Sequence, residues 1–231
     1  MDDFMKDQNT DVISTLAASG RIAAIALITV NVLSMFAMMH HPVAHADSHT
    51  SFLQSLTNIS GLNQLVHGSL IATMLITWLS LVEFAVPAWK QASVRNGILL
   101  YSIGIMAMLG AALTDGFVII HLAKGLLDAS SELQAASPLL FKMTWAINQT
   151  LAGFSVIMLC AGIGCWSVHL LSGTRYARLL AIAGLLMVAV QLGMQWIHHG
   201  HFGVTEMLVF VVWHSLWCIA MALLVLRKAT H

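Results

Sequence analysis

Charge is scarce in this chain. Only 9% of its 231 residues are Asp, Glu, Lys or Arg, against roughly a quarter in a soluble domain. That leaves too little polar side chain to coat a water-facing globule, which points to an integral membrane protein. Ten basic residues balance ten acidic ones, so there is no global basic signal for nucleic acid. Zinc-finger spacing, a basic helix and RNA-binding aromatic motifs are also missing. Cysteine is limited to Cys160, Cys165 and Cys218, all within apolar runs. The first two point about 140° apart on a helix, so they read as small packing residues and say little about redox compartment. The sequence has no His-Glu-x-x-His, no Cys-x-x-Cys, no phosphate loop, no dinucleotide motif and no nucleophile constellation. Enzyme chemistry therefore has no positive support.

What the sequence does have is apolar length. Hydrophobic residues make up 58% of it, and mean hydropathy is +0.84. A membrane-crossing helix needs about 20 apolar residues. Six stretches qualify or come close, at roughly 20–39, 65–86, 97–121, 145–171, 179–199 and 204–226. They lack the period-two alternation of barrel strands, and helices satisfy their own backbone in lipid. Pro42, Pro87, Ser137-Pro138, Ser172-Gly173, Gly200 and Gly203 mark the breaks. Residues 42–64 and 122–143 carry leucines and isoleucines at helical spacing, suited to short interfacial helices. The expectation is an all-α, six-helix transmembrane bundle forming one domain over residues 1–231.

Lys and Arg set the expected orientation. Lys6, Arg21, Lys90, Arg95, Arg175, Arg178, Arg227 and Lys228 fall on one side of a six-crossing chain, and only Lys124 and Lys142 on the other. Both termini are thus expected in the cytoplasm of a cell whose inner (plasma) membrane, read as bacterial, holds the bundle. Ala44-His45-Ala46 has the small-x-small form of a signal-peptidase site. A leader ending there would be unusually long, with a partly acidic start and an overlong apolar run, so an uncleaved first helix is expected.

Most of the twelve histidines collect at the other, outer face. The three outward-running helices end in His40 and His41, in His121, and in His198 and His199. His45, His49 and His201 lie in outer loops, and His67 in the first turn of the second helix. His214 lies ten residues into the last helix, about 15 Å deep. Interfacial placement explains any one of these, because imidazole tolerates the headgroup region. It explains the set less well.

Neutral imidazole also binds zinc, copper, nickel and iron, and thioether sulfur adds a preference for Cu(I). Met35, Met38 and Met39 precede His40, Met74 follows His67 by seven residues, and Met194 precedes His198 by four. Asp115 lies about two turns below the outer surface, where an ionisable group needs a partner or a cavity. The expected metal ligands are His40, His41, His67, His121, His198, His199 and His214, with Asp115 as ligand or support. Copper is the first expectation and zinc the second, in uptake, efflux or delivery. A second reading is a haem b cytochrome passing electrons from quinol, its iron held by imidazoles drawn from His67, His121 and His214. A third is an accessory subunit that packs against a membrane partner or another copy of itself. Asn31, Asn148, Gln149, Gln191 and Gln195 read as interhelical hydrogen-bond donors and acceptors.

The stretch HHPVAHADSH resembles the histidine-proline and Asp-x-His elements of the HupE/UreJ nickel-permease proteins, through His41, Pro42, Asp47 and His49. That family has glycine before its Asp segment and His directly after the Asp; here His45 and Ser48 interrupt the pattern. The likeness is confined to residues 40–49 and carries no function across.

Overall fold

The computed structural model describes residues 2–43, 49–197 and 202–228, and it is all-helical, with no strand among them. The elements are α1 (Asp2–Met39), α2 (His49–Asn58), α3 (Ser60–Ala85), α4 (Ala92–Leu113), α5 (Ile119–Leu127), α6 (Ser131–Leu170), α7 (Arg175–Ile197) and α8 (Val204–Lys228). A five-residue π-helical turn, Thr114–Val118, joins α4 to α5 without breaking the rod. Six spans are long and apolar enough to cross a membrane, and each contains one of the six expected runs, to within one or two residues at its end.

The helices alternate in direction, as their contacts record. Asn31 and Ser34 of α1 meet Thr77 and Thr73 of α3, so one chain descends as the other rises. Gln195 of α7 donates to the Gly153 carbonyl of α6 at 2.9 Å. Gln149 clasps the backbone of Phe202 from both sides, donating to its carbonyl at 3.1 Å and accepting from its N–H at 2.7 Å. Such bonds between apolar helices replace the hydrophobic drive that lipid removes. The tightest pair is α4 with α6. A Cβ at Gly162 would stand 2.8 Å from the Gly97 carbonyl, so only glycine allows that approach. Ile22, Phe36, Leu65, Met106, Leu186 and Trp196 point outward from the bundle, an apolar surface suited to lipid.

The break expected at Ser137-Pro138 is not a break. Helix α6 begins at Ser131, capped by Ser130, and runs through Pro138. Proline cannot donate to the carbonyl one turn back, at Gln134. The hydroxyl of Ser137 donates there instead, at 2.5 Å. The third and fourth spans therefore reach 36 and 40 residues, or about 54 and 60 Å, well beyond a hydrocarbon core of about 30 Å. Their surplus stands at the histidine end of the bundle. There α2 packs on α5 through Leu53, Leu56, Ile120, Ala123 and Leu126, a small core separate from that of the bundle. Of the two expected interfacial helices, 42–64 holds the separate α2, whereas 122–143 is divided between the end of α5 and the start of α6, which prolong the third and fourth spans.

Candidate metal centre

Three helices bring one side chain each to the ground beneath the cap that α2 and α5 form. His41 follows the last turn of α1, His67 lies two turns into α3, and Asp115 sits in the π-helical turn after α4. Nε2 of His41 and Nε2 of His67 are 3.4 Å apart. Asp115 Oδ2 lies 3.2 Å from His67 Nε2 and 3.6 Å from His41 Nε2. In a tetrahedral site with metal–nitrogen bonds of about 2.0–2.1 Å, neighbouring ligand atoms stand about 3.3–3.4 Å apart. The observed triangle has those dimensions. Among the described residues it is the one group of three or more His, Cys, Asp or Glu side chains close enough to share an ion.

The supports are specific. Nδ1 of His67 is 2.9 Å from the Asn63 carbonyl. A carbonyl can only accept, so Nδ1 carries a proton, and Nε2, turned toward His41 and Asp115, is the ring nitrogen left for a metal. Ligating histidines are ordinarily oriented in this way. The side chain of the same Asn63 donates to the backbone carbonyl of Asp115 at 3.0 Å. It thereby engages the π-helical turn, a distortion that recurs at functional sites. Gly116 completes the fit, because a Cβ there would collide with His67.

Electrostatically the group is unfinished. A carboxylate oxygen and a lone-pair nitrogen cannot face one another at 3.2 Å without a positive charge between them, either a proton or a metal ion. Nδ1 of His41 is buried and has no hydrogen-bond partner among the described residues. His41 and His67 are 12% and 5% exposed, whereas Asp115 is 37% exposed. The carboxylate is thus the accessible side of the triangle.

The triangle forms one end of a cavity of about 410 Å³ that reaches down to His214 and Tyr101. His214 Nε2 shares a 2.7 Å hydrogen bond with the Tyr101 hydroxyl and lies 3.7 Å from Cys218 Sγ. Its ring lies near those of Tyr101 and Phe210, with centroids 5.8 and 5.7 Å away. Between the two ends the wall is mostly apolar and includes Met38, Met74, Met108 and Met207.

Of the other expected ligands, His40, His121 and His214 lie apart from the triangle. His40 and His121 are exposed, and each donates through Nδ1 to the carbonyl one turn back, Phe36 and Phe117 respectively. His198 and His199 lie outside the described residues. The imidazoles expected to hold haem do not face one another. Nε2 of His67 meets His41 and Asp115, Nε2 of His214 meets Tyr101, and His121 is on the surface. Sequence reasoning missed Asn63, Gly116 and Tyr101. The first two carried a faint signal: an amide one turn before a histidine, and a glycine beside an intramembrane aspartate.

Comparison with known protein families, curated proteins and solved structures finds no match to the chain.

Proposed function

We propose that this multi-pass membrane protein binds a transition metal ion, copper or zinc, through His41, His67 and Asp115, and serves in its uptake, efflux or delivery. One observation supports the reading: three potential ligand atoms from three helices converge at tetrahedral spacing, with Nδ1 of His67 engaged by the Asn63 carbonyl. Three protein ligands leave a fourth position for water or for an exchanging carrier, as in sites that handle metal rather than store it. Two imidazoles and a carboxylate suit zinc or Cu(II). The site lies at the face expected to be outside a bacterial inner membrane, so a metal would arrive or leave there without crossing the hydrocarbon. Haem b is the weaker alternative, since no two of its expected axial imidazoles are opposed.

The test is to purify the full-length protein in mild detergent and measure a visible spectrum and metal content on the same sample. About one zinc or copper per chain without a Soret band is the expected result. His67→Ala and Asp115→Asn should lower that content, and His169→Ala, at the opposite end of the bundle, should not. Equal content in all variants would sink the site.

A further inference from the structure

The cavity below the triangle has a repeating pattern that the triangle does not explain. Along the third span Asp115, Met108 and Tyr101 all line it, at successive intervals of seven residues. Along α3 His67 and Met74 line it at the same interval, and along α1 Met38 lies one turn below His41. Seven residues are close to two full helical turns, so each series keeps to one face and steps down about 10.5 Å at a time. The register of α3 against the third span is fixed twice: His67 meets Asp115 at 3.2 Å, and Trp78 donates to Ser102 at 2.8 Å. That register sets Met74 and Met108 at one level, midway between the triangle and the Tyr101–His214 pair. The cavity therefore presents an imidazole–carboxylate level, a thioether level and an imidazole–phenol level with a thiol beside it.

We propose that this cavity is a binding chamber for monovalent copper, with the thioethers of Met74 and Met108 as a second, soft-metal station between the triangle and His214. The inference rests on the triangle as the point of entry. Thioether sulfur is a neutral, polarizable donor that favours Cu(I) and offers little to zinc or to harder ions. The cost of carrying an ion away from water rises with the square of its charge, so an apolar wall tolerates a monovalent ion far better than a divalent one. Methionine at any single position is ordinary packing. Here four of them line one cavity, two at the level between its polar ends, while also packing on the apolar core. The chamber ends at Tyr101, whose other side lines a void of only about 10 Å³ among Gly97, Gly162, Trp166 and Trp217.

The experiment compares two ions on the purified full-length protein. Zinc is titrated by competition with a chromophoric chelator. Cu(I), kept reduced with ascorbate, is titrated against a Cu(I)-selective one. The wild type should bind about two Cu(I) per chain but about one zinc. The double variant Met74→Leu/Met108→Leu conserves volume and so should fold. It should lose one copper, keep its zinc, and lose sulfur scattering from the copper X-ray absorption spectrum. Unchanged Cu(I) stoichiometry and sulfur scattering in that variant would overturn the station. Absence of zinc binding in the wild type would instead overturn the triangle, and the copper comparison would still decide the methionines.

Discussion

The backbone carbonyl of Asn63 accepts from Nδ1 of His67 at 2.9 Å, while the side chain of Asn63 donates to the carbonyl of Asp115 at 3.0 Å. One residue thus orients one corner of the triangle and engages the turn that carries another. Asn63→Ala leaves all three ligand atoms present but frees the carbonyl in the π-helical turn. Loss of such an outer partner typically costs about 10–100-fold in metal affinity. We expect zinc affinity to fall by that factor at unchanged stoichiometry, measured by chelator competition. A variant that binds as tightly as the wild type would remove Asn63 from the site.

Gly116 gives a steric test. A methyl group there meets His67, so Gly116→Ala must displace the imidazole or the turn. Overpacking of this kind costs about 1–3 kcal/mol, and here it also moves a ligand. Gly125, in the exposed part of α5, has open space around its Cβ position. Gly125→Ala should keep or slightly raise the melting temperature, because alanine is the better helix former. Thermal melts of the two variants with and without zinc should show that Gly116→Ala alone loses the metal-induced rise.

The bundle was legible because its cause is local. Twenty apolar residues in a row have few other fates, so the six spans could be read from composition and length. Pro138 misled because its compensation, the Ser137 hydroxyl on Gln134, is a three-dimensional detail of a helix that otherwise continues. The gathering of histidines at one end was also legible, from alternation of the spans. Which of them meet was not. His40 and His41 are neighbours in sequence, yet a helical step of about 100° and the end of α1 send one outward and the other inward. The π-helical turn that places Asp115 adds a residue to the helical repeat, which a regular wheel cannot foresee.

That divergence separates the histidines experimentally. His40→Ala and His121→Ala each remove an exposed ring that, among the described residues, is bonded within its own helix, so metal content should stay at the wild-type level. His41→Ala removes a corner of the triangle. It should weaken zinc binding by more than the roughly 10–100-fold loss of an outer partner. Elemental analysis of the three variants, purified side by side, checks this. Metal loss in His121→Ala equal to that in His41→Ala would mean that the surface ring takes part after all.

Orientation decides which compartment supplies the ion. Arg95, Arg175, Arg178 and Arg227 gather at the end opposite the triangle, and positive residues stay in the cytoplasm. The cap of α2 and α5 and the accessible carboxylate of Asp115 would then face outward. The prediction concerns two engineered cysteines, one at each end. Gly125 is exposed on the cap, and Ser172 is exposed in the turn between α6 and α7. Of the native cysteines Cys160 and Cys218 are buried and Cys165 is half-buried, so both variants are made in a Cys165→Ala background. In intact cells with a permeable outer barrier, a membrane-impermeant maleimide should label Gly125→Cys and leave Ser172→Cys unlabelled until the cells are lysed. The reverse pattern would put the triangle in the cytoplasm. The same three ligands would then draw on the cell's own metal pool, and the cavity would run outward from it.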